Sequence, residues 1–374
     1  MIRVLVVDDS AFMRKAISMM LEDDAEVRVI GTARDGEDAI EKVKRLRPDI
    51  VTLDIEMPRM DGLTALKRIM KEHPVPVIMI SSLTQQGAQA TVEALQAGAV
   101  DFIPKQFSYV SLEINKIKDD LIAKVKSIVR SRSRLFRSSL VQTTVPRRPV
   151  PASGPSTSLR FPGARLLAIG VSTGGPFALQ KIIPVLPKDF PIPVAIVQHM
   201  PAHFTRSLAE RLDGLSPLRV VEAEGGMRVE PGTVMIAPGG KHLRFRTNKQ
   251  DIVAHTPEHP TQVLHRPSVD VMFRSACQTY DGRVLALVMT GMGKDGLEGA
   301  RLIKQQGGRV MAQNEETCVV YGMPKAVVDA DLADAVLPLE ALAEALSKAV
   351  GQGAVPRRAS GPSLGAPRDA PLKI

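Results

Sequence analysis

The sequence predicts two doubly wound α/β domains, each built on a parallel sheet. Three observations carry that expectation. Within residues 1–130, short apolar runs alternate with helix-like segments five times. A second set of apolar runs occupies residues 164–350, and several end in Gly-rich turns that open a helix. Between the two lies a stretch, 131–163, rich in Arg, Ser and Pro and without periodicity. Repeated strand–helix units put helices over both faces of a parallel sheet, so the strands read as continuous apolar runs. A chain of 374 residues is long enough for two separate cores. The expected layout is a first domain over 1–130, a flexible linker over 131–163, a second domain over 164–350 and a disordered tail over 351–374.

In the first domain, residues 2–7, 27–33, 49–53, 76–80 and 101–103 read as strands. Residues 11–21, 38–45, 63–71 and 86–97 read as helices, with a last helix from about Tyr109. In such a sheet a site lies at the carboxyl ends of the strands. Asp8 and Asp9 follow the first strand, Asp54 the third, Ser81 ends the fourth and Lys105 lies just past the fifth. Clustered carboxylates need a cation, and an all-oxygen ligand set suits Mg²⁺, which keeps waters for a phosphate.

The motifs Val7-Asp8-Asp9-Ser10, Leu53-Asp54-Ile55-Glu56-Met57-Pro58 and Met60-Asp61-Gly62 stand in order and spacing. On these residues the segment from Ile2 to Ile128 resembles the flavodoxin-like receiver domains of response regulators in two-component signalling. The resemblance implies that Asp54 accepts a phosphoryl group from a sensor histidine kinase. It implies Mg²⁺ held by Asp9, Asp54 and the backbone carbonyl of Glu56, with Asp8 supporting the site. Ser81 is then the residue that senses the phosphate, Lys105 its ion-pair partner and Phe102 the switch aromatic. Gln106 stands where the family usually has Pro.

In the second domain, strand-like runs are 165–169, 193–198, 233–236, 284–289 and 309–312. Helix-like runs are 177–183, 205–212, 269–277, 296–306 and 339–349, and 243–246 with 251–254 reads as an edge hairpin. The first strand ends in Gly170-Val171-Ser172-Thr173-Gly174-Gly175-Pro176. Gly170-x-Ser172-x-Gly174 is the spacing of a nucleophile elbow, with the N–H groups of a helix start behind the serine. Gly170-x-Ser172-x-x-Gly175 is also close to a dinucleotide fingerprint, although Ser occupies the slot where the backbone must approach a pyrophosphate.

A serine nucleophile needs a base, and the base an orienting carboxylate. His199 follows the strand 193–198, and Asp295 follows 284–289 within Thr290-Gly291-Met292-Gly293-Lys294-Asp295-Gly296. Ser172, His199 and Asp295 therefore emerge at one sheet edge. Asp295 also reads as a cap for the helix from Gly296, and Thr290-Gly-Met-Gly as a phosphate loop. His199-x-x-x-His203 has zinc-like spacing, but Pro201 breaks the helix that this spacing requires.

The order Ser, His, Asp differs from that of the α/β-hydrolases, so a Rossmann-like serine hydrolase outside that fold is expected. Gly170–Pro176, Gln198-His199-Met200-Pro201, His265-Arg-Pro-Ser-Val-Asp270 and Thr290–Gly296 resemble the chemotaxis protein-glutamate methylesterases. The resemblance spans about Arg165 to Val350. It implies hydrolysis of glutamyl γ-methyl esters on chemoreceptor cytoplasmic helices, with Met292 and Thr173 at the oxyanion region and no cofactor for the ester chemistry. It extends the same chemistry to deamidation of receptor glutamines.

Composition narrows the remaining classes. The net charge is +9, but aromatics are 3% with no Trp, against a base-stacking nucleic-acid surface. Many arginines fall in the linker and tail, where a solvated charge run is the simpler reading and an acidic partner the other. The apolar start is broken by Asp8 and Asp9, so no signal peptide is expected, and no apolar run reaches the length of a membrane span. Cys277 and Cys318 read as free thiols. A cytoplasmic monomer is expected. A receiver-controlled transcription factor and a nucleotide-binding effector are the alternatives.

Overall fold

The computed structural model describes residues 1–105, 112–140 and 159–351. The first domain runs β1 (Ile2–Val7), α1 (Ala11–Glu22), β2 (Val27–Ala33), α2 (Gly36–Leu46), β3 (Ile50–Asp54), α3 (Gly62–Glu72), β4 (Val77–Ser81), α4 (Gln85–Gln96), β5 (Asp101–Pro104) and α5 (Leu112–Leu140). The five strands are parallel, in the order β2-β1-β3-β4-β5. Every residue of β3 and β4 is buried, as expected for strands covered on both faces. Ser10, Asp35, Asp61 and Thr84 each accept a backbone N–H in the first turn of the following helix, so polar residues at the strand ends also start the helices.

Helix α5 differs from the expected layout. It runs 29 residues, ten of them beyond Arg130 and inside the stretch read as linker. Residues 131–140 contain Leu135, Phe136 and Leu140 and no Pro, so nothing in their sequence stops the helix. At the other end of that stretch the Phe161 N–H donates to the Ala349 carbonyl at 2.6 Å, and Leu159 and Phe161 pack against the second domain's core. Leu159 and Phe161 thus tie this end of the stretch to the second domain. The rest of the expected linker, the tail beyond Gly351 and the Gln106 departure lie outside the described residues.

The second domain runs β6 (Leu166–Val171), α6 (Gly175–Ile182), β7 (Val194–Gln198), α7 (Phe204–Asp213), β8 (Arg219–Glu222), β9 (Thr233–Ile236), β10 (Arg244–Asn248), β11 (Asp251–His255), α8 (Val269–Thr279), β12 (Val284–Val288), α9 (Leu297–Gln305), β13 (Arg309–Gln313), α10 (Met323–Asp329), β14 (Ala335–Leu337) and α11 (Leu339–Val350). Seven of its strands form one parallel sheet, in the order β14-β13-β12-β6-β7-β9-β8. The chain starts at β6, builds outward through β7, then returns to the other side of β6 with β12. The carboxyl ends of β6 and β12 are therefore the topological switch point, where such sheets bind ligands.

Four features depart from the sequence reading here. The short strands β8 and β14 and the helix α10 carry too little apolar pattern to stand out. The expected edge hairpin, β10 with β11, is antiparallel but forms its own two-stranded sheet. It is held by α8: Ser275 Oγ takes the Phe245 N–H at 2.8 Å, and Thr279 Oγ1 donates to the Phe245 carbonyl at 3.2 Å.

Candidate active site

Strand register brings Ser172 and His199 together. Val171 pairs with Gln198, so Ser172 and His199 are the next positions along two neighbouring strands, which run about 4.8 Å apart. The Ser172 N–H donates to the Thr290 carbonyl at 3.0 Å, tying the serine to the loop after β12. Gly174 has φ +77°, which a glycine adopts freely, and starts α6 without a side-chain cap. On the β12 side, a Cβ on Gly291 would lie 2.7 Å from Ser172 Cβ, so only glycine lets that loop lie against the serine.

His199 is nearly buried, its side chain 8% exposed, and its Nε2 lies 2.8 Å from Asp295 Oδ2. With a proton on Nε2, the buried Nδ1 carries the lone pair, and it has no hydrogen-bond partner among the described residues. Asp295 does not cap the helix that follows it, since Gly296 holds the N-cap position of α9 and no side chain caps it. It sits at the start of α8 instead. Its Oδ2 accepts the Val269 N–H at 2.7 Å, and its Oδ1 accepts Ser268 Oγ and the Asp270 N–H, each at 3.0 Å. Burial works against the charge, but the bond from His199 and these N–H groups hold the carboxyl well below its ordinary value.

Two residues of this site were not singled out from the sequence. The ring of His265 stacks on that of His199, with centroids 4.1 Å apart and planes 19° apart. Burial first, then repulsion from His199, push the His265 pKa down to about 4, so a neutral ring covers the His199 face. Ser268 supplies the hydroxyl on Asp295. Both belong to the segment His265–Asp270, which the family resemblance marks without giving its geometry.

Of the expected oxyanion residues, Thr173 follows Ser172 in the chain, and Met292 follows Gly291, which lies against the serine. Thr173 is buried, and its carbonyl accepts Thr290 Oγ1 at 2.9 Å. The Gly291 N–H is taken by the Val320 carbonyl at 3.0 Å, whereas no acceptor among the described residues takes the Met292 N–H.

In the first domain, carboxylate oxygens of Asp8, Asp9 and Asp54 lie within 4.8 Å of one another. Lys105 Nζ is 2.6 Å from Asp54 and 3.2 Å from Asp8. Burial pushes the Asp54 carboxyl up to about 6 against the pull of Lys105. Asp8, expected to support the site, thus contributes an oxygen to the same cluster. The Glu56 side chain accepts Ser82 Oγ at 3.0 Å, and the Glu56 N–H donates to Asp54 Oδ1 at 3.4 Å. Ser81 Oγ points toward α4, where it accepts Thr91 Oγ1 at 2.7 Å and donates to the Gly87 carbonyl at 3.1 Å.

The two domains meet beside the esterase-like edge. Phe102 is buried and lies flat on Phe204, with centroids 4.6 Å apart and planes 13° apart. Phe204 opens α7, directly after the loop that carries His199. Ser127 Oγ on α5 donates to Met292 Sδ at 3.7 Å, and Val320 packs within the first domain's core.

Residues 4–115 match the model of the response regulator receiver domain, and residues 167–346 match that of the CheB methylesterase. The chain is 50% identical over 367 residues to the protein-glutamate methylesterase/protein-glutamine glutaminase 1 of Oleidesulfovibrio alaskensis, covering 94% of this chain and 100% of that one. The chain belongs to the CheB methylesterase family. The Pyrococcus horikoshii enzyme of the same name is 46% identical, with 93% of this chain and 94% of that one covered. The solved CheB catalytic domain of Thermotoga maritima is 46% identical, covering 49% of this chain and 97% of that one, with a TM-score of 0.48. The receiver domain of Thermotoga maritima CheB is 48% identical over 34% of this chain and 96% of that one, with a TM-score of 0.32. A CheB effector domain replaces the transcription-factor and nucleotide-binding alternatives. Among the described residues no helix is long and apolar enough to cross a membrane.

Proposed function

We propose that the chain is a protein-glutamate methylesterase that removes γ-methyl groups from chemoreceptor glutamyl esters and that its receiver gates the site. The observation that carries the chemistry is the His199–Asp295 bond beside Ser172, at the switch point of the second sheet. Ser172 Oγ attacks the ester carbonyl while His199 takes its proton. The tetrahedral oxyanion faces the Met292 N–H and the Thr173 region, and one such donor contributes about 3 kcal/mol in the transition state. Collapse breaks the C–O bond, and His199 gives its proton to the leaving methanol. Water then attacks the glutamyl-Ser172 ester by the same path and frees the carboxylic acid. With a glutamine substrate the leaving group is ammonia, so the glutaminase activity named in the relatives needs no further residue.

In the receiver, the Asp8, Asp9 and Asp54 oxygens suit a hard divalent cation, and Mg²⁺ bound there would neutralise charge on an incoming phosphoryl group. Asp54 accepts that group from a sensor histidine kinase. Lys105 then pairs with the new oxygens, and Ser81 leaves Thr91 and Gly87 to reach them. Thr91 and Gly87 both lie on α4, and α4 packs on α6 and α7 of the esterase domain. Phosphorylation therefore loosens the same face that holds Phe102 on Phe204 and Ser127 on Met292. The unphosphorylated receiver inhibits by that docking. In this reading the enzyme works as a monomer in the cytoplasm, on the cytoplasmic helices of membrane receptors.

The deciding experiment is methanol release from methylated receptor membranes, wild type against Ser172→Ala. Near wild-type turnover in the variant ends the serine reading.

A further inference from the structure

The loop of residues 256–267 joins β11 to α8 and contains neither helix nor strand. It carries His265, whose ring covers His199, and it delivers Ser268 and the first N–H groups of α8 to Asp295. A loop with that task needs an anchor stiffer than its own backbone.

His242 provides one. It is fully buried. Its backbone N–H donates to the Pro257 carbonyl at 2.8 Å, and its ring Nε2 lies 2.9 Å from the Pro260 carbonyl. Its Nδ1 accepts the Ser268 N–H at 3.3 Å. The ring thus holds the loop at Pro260 and just past its end, at Ser268. Both ring bonds form only in the neutral tautomer with the proton on Nε2. Burial, which holds the His242 pKa below its ordinary value, favours that neutral form. The next residue, Leu243, is fully buried in the core under β10 and α8, so the anchor is fixed in turn.

We propose that His242 is a positioning residue of the esterase: through Pro260 and Ser268 its ring fixes the loop that keeps His265 on His199 and the start of α8 on Asp295. The inference rests on the proposed roles of His199 and Asp295. It assigns His242 no contact with substrate.

The test compares His242→Leu and His242→Gln in the full chain. One readout is kcat and KM for methanol release. The other is the downfield proton resonance of the His199–Asp295 hydrogen bond, recorded without substrate. Leu removes both ring bonds, and kcat is expected to fall about 10- to 100-fold with KM little changed, because small displacements of a catalytic group cost that much. The resonance is expected to broaden or vanish. Gln offers a donor and an acceptor again and is expected to recover most of both signals. A folded Leu variant with wild-type kcat and an intact resonance overturns the proposal. So does a folded Gln variant as impaired as Leu. If Leu does not fold, His242→Asn, which keeps an acceptor near Ser268 but cannot reach Pro260, decides: unchanged kcat overturns the proposal and a partial loss supports it. The resonance does not depend on Ser172, so a failure of the serine reading and a failure of this inference are told apart.

Discussion

Replacing Asp295 by asparagine puts an amide NH₂ where the carboxylate now accepts from both oxygens. Oδ2 takes His199 Nε2 and the Val269 N–H, and Oδ1 takes Ser268 Oγ and the Asp270 N–H. Either orientation of the amide therefore sets NH₂ against a backbone N–H of α8. If the NH₂ faces Val269, it faces His199 as well, and the imidazole must take the other tautomer to bond it. A buried donor left without an acceptor costs about 1–3 kcal/mol. The stability loss should lie in that range, read from urea unfolding of wild type and variant. The kinetic loss should be larger. In serine proteases the corresponding exchange lowers kcat about 10⁴-fold through the wrong tautomer, which is about 5 kcal/mol of transition-state stabilisation. Methanol release from methylated receptor membranes at saturating substrate measures it. An Asn variant that loses stability but keeps kcat within tenfold of wild type would refute the argument, and Asp295 would be a cap for α8 alone.

Ser172→Ala should abolish methanol release while leaving the unfolding curve unchanged, and His199→Ala should lose comparably much, because triad members act as a unit; substantial turnover in either variant contradicts the assignment. Deleting residues 1–140 should raise basal esterase activity, and a small phosphodonor with Mg²⁺ should raise full-length activity only when Asp54 is present; an isolated C-terminal domain no faster than the unphosphorylated enzyme rules out receiver inhibition. Phe204→Ala should remove the ring under Phe102 and raise basal activity of the full chain toward that of the deletion, and basal activity equal to wild type would show that the stacked pair does not hold the docked state. His265 should lower stability in acid: its unfolded value is 6.5 and its folded value about 4, with His199, Asp295 and Lys124 the charged groups acting on it. Below 6.5 the unfolded chain takes the proton first, so stability falls between pH 6.5 and 4, by at most about 3 kcal/mol, and levels below that; urea unfolding of His265→Phe should lack that part of the slope.

How far the sequence alone reached depended on how local each signal was. The five strands of the receiver and five of the seven in the second sheet were legible because each is a mainly apolar run, the central ones covered on both faces. The short β8 and β14 were not, because an edge strand of three or four residues leaves little pattern to see. Ser172, His199 and Asp295 were legible because each stands just past a strand, and parallel strands deliver their carboxyl ends to one edge. What Asp295 bonds to was not. A capping Asp is expected to serve the helix that follows it. Here it serves α8, whose first residues lie 25 and 26 positions earlier, because β12 returns beside β6 and brings the end of one loop onto the start of another. His265 and His242 escaped for the same reason. Each sits in a polar stretch with no periodicity, and the partners that give it meaning, His199 and Ser268, become neighbours only once the sheet has closed around the switch point. Local pattern places the ends of the strands; the loops that complete a site take their positions from the order in which those strands are laid down.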